Sequence, residues 1–208
     1  MPIEPPVTPG KVDWSGENPG ILLKHPDGTN AAMALFFRIA WSPVGQGQVL
    51  LLYGKPDHAE GSAEAPNILL SDNASLGEFL RDNFVARLAG FSQIPPFASL
   101  EHKRLTTVRT SGDPMGTRYS DTVVADGLTV ELVWEGLAPP KALELPPEMT
   151  GTKAHTMFSL LVPAREAAIL VNGHPLPGTV GTRVQAGFET TTAFLYFSET
   201  WVFPPEPA

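Results

Sequence analysis

The chain of 208 residues contains no cysteine. This excludes disulfide bonds, thiolate nucleophiles, iron–sulfur clusters and every zinc site built on Cys ligands. Charged residues are also scarce, at 17% of the chain compared with about 25% in a typical globular protein. The lack of cysteine fits a reducing compartment, and we expect a cytoplasmic protein.

Signals for export and for membrane insertion are missing as well. The start of the chain has neither the basic segment nor the apolar segment of a signal peptide. The longest apolar run, "AAMALFF" before Arg38, is far too short to span a bilayer. The formal charge of −8 disfavours nucleic-acid binding, which needs a basic face. We therefore expect a soluble protein without a membrane or nucleic-acid partner.

Common catalytic and cofactor motifs are missing too. The sequence has no G-x-G-x-x-G, Walker A, H-E-x-x-H, EF-hand or G-x-S-x-G motif. The H-x-H pair of many metal-binding barrels is missing, and no two of the five histidines lie within four residues of each other. We expect neither a metal site nor a cofactor.

What the chain does contain is frequent chain breakers. The 22 prolines and 19 glycines recur along the whole length and separate short apolar runs, a pattern typical of β structure. Two of these runs, residues 31–41 and 48–54, are apolar on both faces and are joined by the turn-rich segment "SPVGQGQ". They predict neighbouring strands in a sheet that is covered on both sides.

Alternation with a period of two begins near residue 99. Leu128 and Trp134 share an apolar face, and "DG" at 126–127 predicts a tight hairpin turn before them. The segments "AHTMFSLLV" and "AAILV" predict two strands that pair across "PARE". Residues 188–203 predict one long strand, with one face formed by Glu189, Thr191, Ala193, Leu195, Phe197, Glu199, Trp201 and Phe203.

One segment, "SLGEFLRDNFVARLAG", predicts an amphipathic helix at about 75–89. Ser75 and Glu78 have the spacing of a capping box, and Gly90 suits the position after the helix end. An apolar stripe follows from Leu76, Phe79, Leu80, Phe84 and Leu88. This stripe should pack on a sheet or plug the end of a barrel.

Together these patterns predict an all-β, mainly antiparallel fold. We expect a single β-barrel or β-sandwich of roughly nine or ten strands with the one inserted helix. Residues 1–20, which carry five prolines, predict an irregular N-terminal arm, residues 21–203 a single β-rich domain, and residues 204–208 a tail.

A basic patch provides the first candidate for ligand binding. Arg104, Arg109, Arg118 and Tyr119 fall on neighbouring predicted strands, and guanidinium groups suit the carboxylate or phosphate of a small ligand. The alternative is cross-strand ion pairing with Glu131 and Glu135, a purely structural role that we favour.

The second candidate is the stretch "YGKPDHAEGSAEAPN", residues 53–67. Asp57, His58 and Glu60 could contact a ligand at a pocket rim or serve as acid–base groups. Its small residues equally indicate a solvated surface loop. His102 and His155 lie in strand patterns and are, with His58, the catalytic candidates. For both strand histidines the alternative is a purely structural role.

Three functional hypotheses follow. The first is a protein that binds a small, partly apolar and acidic molecule in an internal or inter-sheet pocket. The second is a cofactor-independent hydratase, isomerase or lyase that uses histidine and carboxylate groups. The third is an oligomeric or interaction protein that uses an exposed sheet edge, and a homodimer is a further expectation.

Overall fold

The computed structural model describes residues 9–58, 61–88, 91, 94 and 100–205. Strands make up 59% of the chain, and nine of those in the described part close into one barrel. This confirms the all-β, mainly antiparallel prediction and selects the barrel over the sandwich.

The strands are β1 (Lys11–Glu17), β2 (Gly20–Lys24), β3 (Asn30–Trp41), β4 (Gly47–Tyr53), β5 (Asn67–Ser71), β6 (Glu101–Gly112), β7 (Arg118–Ala125), β8 (Leu128–Leu137), β9 (Lys141–Leu145), β10 (Thr156–Val171), β11 (His174–Pro175), β12 (Thr179–Val180), β13 (Thr182–Gln185), β14 (Phe188–Thr191) and β15 (Ala193–Phe203). Helix α1 (Ala74–Phe79) continues through a π-helical turn (Leu80–Phe84) into a 3₁₀ turn (Val85–Arg87), and a second 3₁₀ turn covers Pro147–Met149.

The barrel follows the order β10, β8, β7, β6, β5, β4, β3, β1 and β15, and β15 returns to β10. Adjacent strands of this ring are antiparallel, except that β5 and β6 run parallel over four residue pairs. Beyond the end of β1, strand β2 occupies the same position in the ring and pairs with β3 and β15. The hairpin turn predicted at 126–127 joins β7 to β8 and is confirmed, with Gly127 at φ 67°.

Strand β6 changes partners along its length. Residues 101–104 pair with β5, whereas residues 105–112 pair with β7. A bulge lies at the changeover, between Leu105 and Thr107. Among the described residues each part of β6 therefore has a strand on one side only, which leaves two gaps in this part of the barrel wall.

Apolar side chains form two clusters, one on each side of the sheet. The first draws on strands all round the ring, including Phe36, Leu52, Trp134 and Leu195, and fills the barrel interior. The second lies outside the β3–β4–β5 wall and includes Phe37. The prediction that residues 31–41 and 48–54 are covered on both faces is confirmed for most of both segments, but Ala40 and Trp41 at the end of β3 are exposed.

Helix α1 and the turns after it cover the outer face of this wall. Leu76, Leu80 and Phe84 are fully buried in the outer cluster, so the predicted apolar stripe packs on a sheet rather than plugging the barrel. The predicted capping box is wrong, because the N-cap lies two residues before Ser75. Asn73 is the N-cap and accepts a hydrogen bond from the Leu76 N–H at 3.2 Å. Gly90 lies outside the described residues.

The expectation of an irregular arm over residues 1–20 fails for residues 11–17, which form β1. The five prolines all lie outside residues 10–18. The backbone of this stretch can therefore form strand pairs on both sides, with β15 and with β3. Its Trp14 is fully buried in the outer cluster. Residues 1–8 and 206–208 lie outside the described residues.

Two strand predictions near the C-terminus also need correction. "PARE" is not a turn: residues 156–163 of β10 pair with β15, residues 164–171 pair with β8, and Pro163 lies where the partner changes. The long strand predicted at 188–203 is divided into β14 and β15. The prediction that one set of alternate residues shares a face is wrong beyond Ser198. Ser198 has a φ of 50°, and the strand register shifts there. As a result Leu195 faces the barrel interior, whereas Trp201 belongs to the outer cluster.

Candidate functional site

A pocket of about 700 Å³ opens at the end of the barrel where β6 begins. We call it the mouth pocket. Its walls are formed by Gly61, Ser62, Ala63, Pro66, Asn67, Ile68, Glu101, Lys103, Asp126, Gly127, Leu128 and Asn172.

The mouth pocket follows from the partner change of β6. Residues 101–104 have β5 on one side, while β7 ends at Ala125 and the chain turns at 126–127. The edge of β6 that faces this turn has no strand against it among the described residues. The gap between the β6 edge and the β7–β8 turn is the pocket.

The floor of the pocket is apolar, whereas its rim is polar. Ile68 and Leu128 are buried members of the interior cluster and form the floor. At the rim the Lys103 ammonium lies 3.6 Å from the Glu101 carboxylate, and both side chains are more than 40% exposed. An exposed pair at this separation is weak, so Lys103 can exchange Glu101 for another anion.

Asn67 holds the loop that forms one wall. Its side-chain oxygen accepts from the Lys55 N–H at 3.0 Å, and its amide donates to the carbonyls of Lys55 at 3.0 Å and His58 at 2.8 Å. On the opposite wall, Asn172 accepts from the Thr129 N–H at 2.8 Å. Both asparagines use side-chain groups to fix the backbone at the pocket rim.

A second group of polar residues lies at the other end of the barrel, inside the wall. We call Glu17, Arg38, Thr110, Tyr119 and Asp121 the ion cluster. The Arg38 guanidinium donates to Glu17 at 2.9 Å, to Thr110 at 3.2 Å and to the Asp121 carboxylate. The Thr110 hydroxyl donates to Asp121 at 2.7 Å. Arg38 thus connects β3 to β6 and β7 across the barrel end.

Burial controls the electrostatics of the ion cluster. Asp121 is fully buried, and desolvation raises the pKa of its carboxyl against the opposing effects of Arg38 and Thr110. Burial also raises the pKa of the Tyr119 hydroxyl. Desolvation acts against the charged form of Arg38, but Asp121, Tyr119 and Glu17 outweigh it and raise the pKa of the guanidinium. The cluster therefore holds a paired charge within the barrel.

A groove of about 740 Å³ adjoins this end of the barrel and includes Glu17, Arg38 and Asp72 in its walls. Asp121 does not line it, because the carboxylate is enclosed. The enclosed ion cluster therefore favours a structural role, in which it connects the strands at this end of the barrel, over contact with a ligand.

The residues of the predicted basic patch differ in exposure. Arg104, Arg109 and Arg118 are exposed, whereas Tyr119 faces the interior next to Trp134. Arg118 donates to Glu135 at 3.1 Å, so the structural alternative of cross-strand pairing holds for this arginine.

The loop candidates lie near the mouth pocket without lining it. Asp57 and His58 are exposed, and the pocket wall uses residues 61–63 and 66–67 of the same loop. Glu60 lies outside the described residues.

The two strand histidines occupy different surroundings. His102 is exposed on β6. His155 is fully buried, with its ring nitrogens 2.8 Å from the Thr152 hydroxyl and 3.1 Å from the Asp13 carboxylate, and its ring lies 4.0 Å from that of Phe203. His155 thus has the surroundings of a structural core histidine whose polar atoms are paired, which is the alternative given by the sequence.

Four residues at these sites were not among the candidates predicted from the sequence: Arg38, Lys103, Asp121 and Glu199. Arg38 is recognisable in the sequence, since it is the one charged residue in the apolar run of β3. Glu199 is not, because its burial depends on the register shift at Ser198. Its carboxylate accepts from the Trp201 indole N–H at 2.7 Å, and desolvation raises its pKa to about 8.

Within the described ranges, no cluster of three or more His, Asp or Glu side chains has the geometry to hold a metal ion. No described helix combines the length and the apolar character needed to cross a membrane. Comparisons of the chain with protein-family models, with curated proteins and with solved structures found no match.

Proposed function

We propose that the protein binds a small, partly apolar molecule in the mouth pocket. The observation that carries the proposal is the form of this pocket, in which an apolar floor continuous with the barrel core lies below a polar rim. Ligand pockets commonly have this form, at volumes of about 300–1,000 Å³, and barrel mouths are among their preferred positions.

The floor and the rim indicate the chemistry of the ligand. Ile68 and Leu128 offer an apolar surface for a ring or a short alkyl chain. Lys103 is the one cation of the described lining, and an acidic head group would replace Glu101 as its partner. The acidic ligand expected from the sequence is thereby retained, with Lys103 as its anchor instead of Arg104, Arg109 or Arg118.

The proposal can be tested by titration with 1-anilinonaphthalene-8-sulfonate, an anionic and partly apolar fluorescent probe. Ala63→Trp would fill the pocket from its exposed wall and should weaken probe binding at least tenfold. The matched control is Glu64→Trp, at an exposed neighbour that does not line the pocket. Equal loss of affinity in both variants, or in neither, would contradict the proposal.

A second pair of variants tests the head group. Lys103→Met should weaken binding of the sulfonate probe several-fold, whereas Lys55→Met, at an exposed lysine outside the lining, should leave it unchanged. Competition between the probe and matched pairs of carboxylic acids and their amides would then identify the ligand class. Preference for the amides would contradict the role assigned to Lys103.

The alternative of a hydratase, isomerase or lyase stays a prediction. Its candidates His58, His102 and His155 are absent from the described lining of the mouth pocket. His155 contacts the Asp13 carboxylate at 3.1 Å, but its ring is fully buried and lies outside the mouth pocket.

A further inference from the structure

The second gap in the barrel wall exposes an edge of β6. Residues 105–112 pair with β7 on one side, and the described residues provide no strand on the other side. Strand β5 ends at Ser71, opposite Arg104, and the chain then turns into α1. Eight consecutive residues therefore present one side of their backbone without a sheet partner.

This edge is accessible along most of its length. Thr106, Thr107, Arg109 and Ser111 are exposed, and so is Thr110, although Arg38 of β3 donates to its hydroxyl at 3.2 Å. Threonine favours extended structure, and the segment contains no proline that would interrupt pairing. An unpaired strand edge of this kind is a template for a further strand.

The charge of β6 is opposite in sign to that of the whole protein. Residues 101–112 contain three basic residues, Lys103, Arg104 and Arg109, and one acidic residue, Glu101, in a chain with a net charge of −8. Leu105 and Val108 pack against the interior cluster, so their neighbours Arg104 and Arg109 face outward. Among the described residues neither arginine has an ion-pair partner.

From this combination we infer that residues 105–112 bind an extended acidic peptide of a partner protein as an added β-strand. Main-chain hydrogen bonds to the free edge of β6 supply the pairing, and carboxylates of the peptide meet Arg104 and Arg109. A second copy of the chain is a poorer occupant. Its own β6 is equally basic, and like charges opposite each other destabilise a strand pair. The inference is independent of the mouth pocket, which lies at the other end of β6.

The test uses a fluorescein-labelled peptide of eight residues that alternates glutamate with threonine. Fluorescence anisotropy should show saturable binding to the full chain. A peptide with lysine in place of glutamate should bind at least tenfold more weakly, as should the glutamate peptide N-methylated at every second residue. Equal binding of the N-methylated peptide would overturn the inference, because it would show contact through side chains alone.

Protein variants locate the site. Arg104→Glu/Arg109→Glu should weaken binding at least tenfold, whereas the control Arg118→Glu, on the neighbouring strand, should change it less than twofold. Hydrogen exchange of the wild-type protein should show slower exchange at residues 105–112 when the peptide is present. Equal weakening by the control, or unchanged exchange in this segment, would overturn the inference. So would sedimentation of a dimer that protects residues 105–112 without peptide, since a second copy would then occupy the edge.

Discussion

The guanidinium of Arg38 contacts the carboxylate of Asp121 at the end of the barrel, where Asp121 is fully buried. One oxygen of this carboxylate is paired with Arg38 and Thr110, and the other, Oδ2, has no hydrogen-bond partner among the described residues. The charge of the Asp121 carboxylate is therefore balanced by Arg38, the one cation that contacts it among the described residues.

Replacement of Arg38 by methionine should lower the free energy of unfolding by about 3–5 kcal/mol, because Asp121 would remain buried without its cation. The control Arg118→Met removes an ion pair with Glu135 in which both side chains are at least half exposed, and should cost less than about 1 kcal/mol. Urea unfolding at pH 7 measures both values. The double variant Arg38→Met/Asp121→Leu should recover most of the loss. Similar costs for the two single variants would show that the buried pair is not special.

Glu199 should make stability depend on pH. Burial raises its pKa from an ordinary 4.5 to about 8, so between these values the folded state retains a proton that the unfolded state releases. Stability then falls as the pH rises, by about 1.4 kcal/mol per pH unit from this group. In Glu199→Gln the side chain stays neutral throughout. The difference in unfolding free energy between the variant and the wild type should therefore grow from about pH 5 to pH 8. A difference that is independent of pH would place the Glu199 pKa at its ordinary value.

The helix cap provides a third prediction. Asn73 caps α1 through Leu76 and also donates to the carbonyl of Gln46 at 3.0 Å, which fastens the helix start to the β3–β4 turn. Asn73→Ala should therefore lower the free energy of unfolding by about 1–2 kcal/mol. Ser75→Ala, at an exposed position inside the helix, should change it by less than about 0.5 kcal/mol. A larger loss of stability for Ser75→Ala than for Asn73→Ala in thermal or urea unfolding would support the capping box predicted from the sequence.

The loop of the mouth pocket provides a fourth. Asn67 makes three hydrogen bonds to the backbone at Lys55 and His58, so Asn67→Ala should cost about 1–2 kcal/mol. Asp57→Ala and His58→Ala should each change the unfolding free energy by less than about 0.5 kcal/mol, because both side chains are exposed. A large loss of stability in either of these two variants would show that the loop has a structural role that its exposure does not indicate.

The parts of the fold that could be predicted from the sequence are those set by local patterns. Apolar runs over residues 31–41 and 48–54 specify strands that are buried on both faces, and the alternation from Leu128 to Trp134 specifies one that is buried on one face. The apolar stripe of α1 specifies its packing. Each of these signals lies within a dozen residues, where periodicity alone determines the structure.

What could not be predicted depends on residues far apart in the chain. The partner change of β6 creates the mouth pocket. This partner change depends on where β5 and β7 end and is not specified by the β6 sequence itself. The ion cluster joins Arg38 to Asp121 across 83 positions. The burial of Glu199 requires the register shift at Ser198. No pattern within a short window carries this information.

The partner change of β6 also bears on how the molecule assembles. Strands β3, β4 and β5 form one antiparallel meander, and β6, β7 and β8 form another, each from neighbouring parts of the chain. The two meet directly through four parallel residue pairs between residues 68–71 and 101–104. A junction of four residue pairs is short compared with the five or more pairs that join neighbouring strands within each meander. We therefore expect this seam to be the place where the ring of strands most readily opens in the native protein.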